Sequence, residues 1–229
     1  MNDQRKTDFM NIFASHVDHL DDLLEQQWHL IEDCTEENQD SLIADSRDIM
    51  LHAHRAILSS CRRCKLHAGR INMVYGEGNH NAEVMFVGEG PGQNEDETGH
   101  PFVGKAGQLL DKIIEAMGLS RRDVYIANII KCRPPNNRNP EHDEILACKK
   151  FLDQQILIIE PKIIVTLGTP AVKTLLETDR GIMSLRGQFS DYRGIPLLPT
   201  YHPSYLLRNP AAKKDAWEDI QKVMRFLKE

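Results

Sequence analysis

Glycines, carboxylates and an aromatic ring are concentrated between residues 88 and 107 of this chain. The segment follows an apolar run, 84–87, and leads into the amphipathic pattern of a helix, 105–117. A strand, a glycine-rich turn and a helix start place these residues at the carboxyl edge of a sheet, where open α/β sheets bind ligands. Glycine has no Cβ, so a flat ligand or a phosphate can approach the backbone closely. A tight turn with solvated acids is the alternative, but the density of special residues favours a ligand site.

The cysteines have the spacing of a metal or cluster site. Cys61 and Cys64 form a C-x2-C pair, Cys132 follows a predicted strand, and Cys148 lies in the next predicted helix. Structural zinc more often uses two short knuckles, and a cubane cluster suits this spacing at least as well. An accidental C-x2-C pair with Cys148 in the core remains open, and Cys34 has no companion. Basic residues that could offset the charge of a cluster or contact phosphate flank these cysteines: Arg62, Arg63, Lys65, Lys131 and Arg133.

Two polar side chains follow other predicted strands. Asn128 ends one strand, and its amide carries both a donor and an acceptor, so it can pair with the edge of a base. Capping of the following turn is its other possible role. His202 follows the last strand and precedes Pro203, where an imidazole could donate a hydrogen bond to a developing anion or serve a structural role.

Leu206 and Leu207 follow this histidine in a predicted loop, beside Arg208. We expect neither leucine to belong to the core. Exposed apolar side chains next to an arginine suit a wedge that enters a stack of bases.

Alternating strands and helices must position these groups. Strands are predicted over 83–88, 124–130, 163–167 and 195–200, and helices over 105–117, 141–159, 169–177 and 210–227. The alternation predicts a three-layer α/β/α sandwich around a central four-stranded parallel sheet. Residues 188–194 have the pattern of a hairpin turn that leads into the last strand.

Composition and charge are those of an ordinary globular protein, with 229 residues and a net charge of −6. Residues 1–60 carry 13 acidic and 4 basic residues, a net of −9; the remaining 21 acidic and 24 basic residues give 61–229 a net of +3. The mildly basic part permits a phosphate-binding surface. No apolar run has the length of a membrane span and no signal core is present, so we expect a cytoplasmic protein that does not bind membranes.

The acidic N-terminal part has a helical pattern. Apolar residues recur at three- and four-residue steps over residues 7–31, and a second helical segment covers 41–59. We expect residues 1–57 to form a helical N-terminal extension that either caps the main domain or docks a protein partner.

Taken together, these motifs closely resemble the iron–sulfur uracil-DNA glycosylases, family 4 of the uracil-DNA glycosylase superfamily. The resemblance covers residues 58–229, which it identifies as the glycosylase domain. The matching blocks are Gly88-Glu89-Gly90-Pro91-Gly92 with Glu95-Asp96, Gly99 to Gly107, Asn128, Lys131-Cys132-Arg133-Pro134-Pro135 and His202 to Leu207.

The resemblance implies a 4Fe–4S cluster held by the cysteines at 61, 64, 132 and 148. It also implies hydrolysis of the N-glycosidic bond of deoxyuridine in single- or double-stranded DNA by a monomer, leaving an abasic site without a lyase step. His202 would contact uracil O2, Phe102 would stack on the ring, and Asn128 would bind the base edge. The remaining implied residues are Glu89, Gly90 and Pro91 around the pocket, Glu89 or Glu95 for the water, and Ser204, Leu206, Leu207 and Arg208 for DNA.

The chain departs from related branches at two places. The loop over 176–187 lacks an inserted basic segment that becomes trapped on DNA, so we expect turnover. Gly90 stands where the best-known branch has a water-activating aspartate. A non-enzymatic iron–sulfur protein for electron transfer or redox sensing is the alternative function, and a zinc-stabilised nucleotide-binding module is a further one.

Overall fold

The computed structural model describes residues 36–228, with side chains from residue 46 onward. The predicted helix over 7–31 lies outside the described residues. Helix α1, Glu36–Ser59, contains the second predicted helical segment and begins before it. The chain divides into two compact units, Met1–His54 and Arg55–Glu229. The proposed boundary between an extension, 1–57, and a glycosylase domain stays a prediction.

A six-stranded sheet organises the second unit, in the order β1-β3-β2-β4-β6-β5. The four inner strands run parallel to one another, whereas β1 and β5 pair antiparallel with them at the two edges. The strands are β1 Glu77–Gly78, β2 Val84–Gly88, β3 Tyr125–Asn128, β4 Ile163–Leu167, β5 Ser190–Tyr192 and β6 Ile195–Thr200. The predicted four-stranded parallel sheet is therefore confirmed and is extended by two edge strands.

Side chains from the two faces of the sheet meet different helices. Phe86 and Ile126 pack in one core with residues of α3, Lys105–Ala116, and α8, Lys213–Phe226. Tyr125, one position before Ile126 and therefore on the other face, accepts a hydrogen bond at its hydroxyl from a side chain of α4, His142–Ile159. The inner strands are almost wholly buried, as expected for a parallel sheet covered on both sides. The predicted three-layer sandwich is confirmed.

The remaining helices are short or lie close to their predicted positions. Helix α5, Thr169–Leu176, matches its prediction. The sequence did not predict three short helices: α2 (Gln93–Thr98), α6 (Ile182–Leu185) and α7 (Pro203–Arg208). These three have at most six residues, too few to show a helical period. In the described part of the chain, no helix combines the length and the apolar character needed to cross a membrane.

The predicted hairpin forms between β5 and β6. Tyr192 pairs with Ile195, so only Arg193 and Gly194 connect the strands. Both connecting residues have positive φ, 53° and 83°, which matches the twist of a tight two-residue hairpin.

Candidate active site and cysteine cavity

The predicted site residues meet at the carboxyl edge of the sheet. Gly88, at the end of β2, is the register partner of Asn128 at the end of β3. His202 follows β6, which pairs with β4 beside β2. Parallel strands therefore bring together groups that lie far apart in the sequence.

Asn128 presents an unused acceptor inside the protein. Its side chain is 2% exposed, and its Oδ1 atom has no hydrogen-bond partner within the described part of the chain. A buried carbonyl oxygen without a partner costs about 1–3 kcal/mol. The arrangement suits an acceptor that is satisfied only when a ligand brings an N–H donor.

The ring of Phe102 lies against this amide. A Cβ at Gly88 would overlap Asn128 Oδ1 and come within 2.5 Å of Phe102 Cζ. Glycine is therefore required at position 88, because the amide and the ring converge over its backbone. The ring centroids of Phe102 and His202 are 5.7 Å apart, with an interplanar angle of 32°. Amide, phenyl ring and imidazole thus border one space.

The backbone of Phe102 is held in a left-handed conformation, with φ of 54°. Such a conformation costs of order 1–3 kcal/mol for a residue other than glycine and needs support from its surroundings. Arg121 supplies part of that support, because its guanidinium donates to the carbonyls of Pro101 at 2.7 Å and Phe102 at 3.2 Å. A Cβ at Gly107 would overlap the Phe102 carbonyl oxygen. No sequence pattern singled out Arg121.

Glu95 connects the two loops of the site. Its Oε1 accepts hydrogen bonds from the backbone N–H groups of Val103, at 2.9 Å, and Gly104, at 3.0 Å. Its Oε2 accepts one from the backbone of Gly92, at 3.1 Å, and caps α2. Both carboxylate oxygens are therefore engaged in fixing the glycine loop against the Phe102 loop.

Glu89 differs from Glu95 in its surroundings. Its carboxyl is half-buried, and burial alone raises its pKa. Within the described residues, no group hydrogen-bonds to its carboxylate. A carboxylate with a raised pKa and unused oxygens is suited to accept a proton from water.

His202 caps α7 and is neutral at physiological pH. The backbone N–H of Ser204 donates to Nδ1 over 3.1 Å, and Ser204 Oγ lies 2.7 Å from the same atom. Burial, followed by the charge of Arg208, lowers the pKa of His202 to about 4, against the opposing effect of Glu95. The proton of the neutral ring is consequently on Nε2, where it can be donated to a ligand.

The prediction that Leu206 lies outside the core is wrong. Leu206 is 1% exposed and packs with Tyr201 and Ala216. The reason is that these residues form helix α7, where consecutive side chains point in different directions. Leu207 is 43% exposed. Ser204 is half-buried and Arg208 is exposed.

The four predicted ligand cysteines line one cavity. All four are free thiols, and Cys132 and Cys148 are buried. Among the described residues, no group of three His, Cys, Asp or Glu side chains is arranged to hold a single metal ion. A shared cavity lined by four thiols fits a cubane cluster, whose four irons each take one thiolate.

One donor lies beside these sulfurs. Arg70 Nη1 lies 3.4 Å from Cys132 Sγ and donates to it. Burial raises the pKa of the Cys148 thiol to about 12, so ligation requires the release of a proton. The prediction that Lys131 could contact phosphate is wrong, because its side chain is 2% exposed. Arg70 was not predicted.

Comparison with known proteins shows the family of this chain. The model of the uracil DNA glycosylase superfamily matches residues 75–221. A type-4 uracil-DNA glycosylase of Thermotoga maritima is 47% identical over 175 residues, 75% of this chain and 91% of the relative. Those of Sulfurisphaera tokodaii and Saccharolobus solfataricus are 50% and 49% identical, over 72% and 73% of this chain and 79% and 82% of the relatives. The chain belongs to the type-4 uracil-DNA glycosylases.

Proposed function

We propose that this protein is a DNA repair enzyme that hydrolyses the N-glycosidic bond of deoxyuridine, releasing uracil and leaving an abasic site. The observation that carries the proposal is the buried Oδ1 of Asn128, which has no hydrogen-bond partner among the described residues and lies, like the ring of Phe102, close to Gly88. Uracil supplies the missing donor at N3–H, and its O4 accepts from the Asn128 amide nitrogen. Cytosine offers an acceptor at N3 and a donor at C4, so both contacts become unfavourable.

The neutral imidazole of His202 stabilises the leaving group. As the bond from C1′ to N1 breaks, its electron pair passes to the base and the sugar becomes an oxocarbenium-like cation. The Nε2–H group of His202 donates to uracil O2, where negative charge accumulates. A fixed donor directed at developing charge in a water-poor site is the largest expected contribution to catalysis.

Glu89 is the better of the two candidate carboxylates for the water. Water adds to C1′ of the sugar cation, and its proton passes to a carboxylate. The oxygens of Glu89 are unused within the described residues, whereas both oxygens of Glu95 accept backbone hydrogen bonds. We assign water activation to Glu89 and positioning of the pocket loops to Glu95. Backbone groups of Gly90 and Pro91 complete the pocket.

DNA reaches this pocket by extrusion of the nucleotide from the stack or as a single strand. Leu207 and Arg208 are the exposed residues of α7 that follow His202, and they suit a wedge and a phosphate contact. Ser204 couples this helix to the imidazole. Cysteines that ligate a cluster instead of forming disulfides suit a reducing compartment, consistent with the cytoplasm. A protein partner is proposed to bind through residues 1–57.

The cavity residues Cys61, Cys64, Cys132 and Cys148 would hold a 4Fe–4S cluster. When bound, the cluster supplies a rigid cross-link between the segment after α1, the loop after β3 and helix α4. Glycosidic hydrolysis transfers no electron, so the residues around the pocket carry the reaction. We expect Cys132→Ala to lose the visible absorbance of the cluster and to melt at a lower temperature. Loss of absorbance with full thermal stability would contradict the structural role.

Uracil release from a single-stranded oligonucleotide with one uracil tests the proposed activity. A thymine oligonucleotide is the substrate control, and Asn128→Ala is the matched variant. We expect alkali-dependent breakage at uracil alone, with a large loss in the variant because the base edge is left unpaired. Equal release by wild type and Asn128→Ala would overturn the assignment of Asn128. No release by the wild-type protein with a full cluster would favour the electron-transfer alternative.

A further inference from the structure

Lys131 touches both the cysteine cavity and the base-recognition residue. Its ammonium is buried and donates to the backbone carbonyl of Asn128 over 2.9 Å and to Gln155 Oε1 over 2.5 Å. The same residue lines the cavity of the four cysteines. One residue therefore connects the cavity of the four cysteines to the strand end that carries Asn128.

The ammonium is fixed on its other side by a buried amide. Gln155 Nε2 donates to the carbonyl of Tyr75 at 3.0 Å and to the hydroxyl of Tyr125 at 3.1 Å, which leaves its Oε1 directed at Lys131. Gln155 is fully buried. The amide is thus held in the orientation that accepts from the ammonium, and the position of Lys131 is determined from both sides.

The charge of Lys131 needs an anionic partner. Within the described residues, no carboxylate forms an ion pair with it, and the four cysteines line the cavity that Lys131 also borders. An isolated buried ammonium is costly by several kcal/mol. Four thiolates around a cluster carry the negative charge that compensates it, and hydrogen bonds to ligand sulfurs are a usual part of such sites.

We propose that Lys131 is a positioning residue through which the cluster supports uracil recognition. This inference rests on the proposed function. With the cluster bound, its thiolates keep the ammonium buried, and the ammonium holds the Asn128 backbone beside Gly88. Loss of the cluster removes the anionic partner, so Lys131 is no longer retained and Asn128 loses its support. The cluster then acts on base recognition as well as on stability.

The test compares Lys131→Met with Lys149→Met in the full-length protein carrying its cluster. Lys149 is the matched control, because it lies next to Cys148 in the chain but its ammonium contacts Asp153 instead of the pocket. Four quantities are measured: iron per protein, cluster half-life in the presence of a chelator, affinity for an oligonucleotide with an abasic-site analogue, and the single-turnover rate of uracil release.

We expect Lys131→Met to release uracil about tenfold more slowly, the equivalent of one lost hydrogen bond. Its cluster half-life should shorten, while its affinity for the abasic analogue stays at the wild-type level. Lys149→Met should match the wild type in all four measurements. A Lys131→Met protein with full iron, a wild-type half-life and a wild-type rate would overturn the inference.

If Lys131→Met does not assemble a cluster, Gln155→Leu tests the inference instead. It leaves the lysine in place but removes the acceptor that fixes the ammonium, and we expect full iron with slower uracil release. A wild-type rate in Gln155→Leu would overturn the inference in that case. The two proposals fail separately: without uracil release by the wild type the proposed function fails, whereas release that depends on Asn128 but not on Lys131 removes only this inference.

Discussion

The backbone N–H of Ser204 points at Nδ1 of His202 across 3.1 Å, which assigns the single proton of the neutral imidazole to Nε2. The ring is neutral because burial lowers its pKa to about 4. The site therefore has a donor without a full positive charge, and it retains that donor across the physiological pH range.

Two substitutions of His202 distinguish the effect of its hydrogen-bond donor from the effect of the shape of its ring. We expect His202→Leu to reduce the rate of uracil release by about 100-fold, the usual cost of removing one donor to a developing anion. His202→Gln places an amide N–H near the position of Nε2 and should recover part of that loss. Single-turnover rates at pH 7 provide the measurement, and equal rates for the two variants would argue against the hydrogen bond to O2.

The low pKa of His202 also affects stability as the pH falls. The unfolded chain binds a proton at this residue near its ordinary pKa of 6.5, whereas the folded protein does so only near 4. The unfolded state binds more protons between these values, so this residue makes the free energy of unfolding decrease as the pH drops from about 6.5 to about 4. Denaturant titrations should show a shallower decrease in His202→Gln; an identical pH dependence would contradict the low pKa.

Glu89 and Glu95 should respond differently to loss of charge. Glu89→Gln removes the proton acceptor and should slow uracil release by about 10² to 10⁴-fold with little change in melting temperature. Glu95→Gln weakens the backbone hydrogen bonds that fix both loops, so its melting temperature should also decrease. Calorimetry together with single-turnover rates distinguishes the two roles, and the reverse pattern would exchange the assignments.

A substitution at Gly88 tests whether the Asn128 amide and the Phe102 ring lie as close to its backbone as the structure shows. Gly88→Ala introduces a Cβ that overlaps Asn128 Oδ1 and Phe102, so uracil release should fall sharply. Gly69→Ala is the control, because a Cβ there meets nothing within 4 Å. We expect the control to have wild-type activity. Normal uracil release by Gly88→Ala would show that the pocket is wider than the structure indicates.

Alanine substitutions of the two adjacent leucines of α7 should have different effects, one on stability and the other on DNA contact. Leu206→Ala removes a buried side chain and should lower the free energy of unfolding by about 2–5 kcal/mol. Leu207→Ala should leave stability unchanged but reduce uracil release from duplex DNA more than from a single strand, which needs no unstacking. An unchanged ratio of duplex to single-strand rates would remove Leu207 as the wedge.

The sequence predicted the regular elements of this fold because long, buried strands and helices have a clear hydrophobic period. Strands β2 and β4 were placed almost to the residue, since their Val and Ile runs are buried on both faces. Helix α7 was missed because a helix of six residues shows no period, and the error in Leu206 followed directly from that omission. The edge strand β1 has only two residues and is equally undetectable.

The site was less predictable than the fold. The types of Asn128, Phe102 and His202 indicated base binding, but their mutual arrangement depends on strand order, which local patterns do not determine. Arg121 supports Phe102 through backbone carbonyls, and such contacts leave no sequence pattern. The division of roles between Glu89 and Glu95 likewise depends on which oxygens are already engaged.

The strand order has a consequence for when activity arises during synthesis. The glycine loop leaves the ribosome before β6 and His202, which follow it in the chain. Before β6 joins β4, the pocket lacks both its imidazole and the strand that carries it. A nascent chain therefore has no partial form of the active site, and base excision begins only after translation of the glycosylase domain is nearly complete.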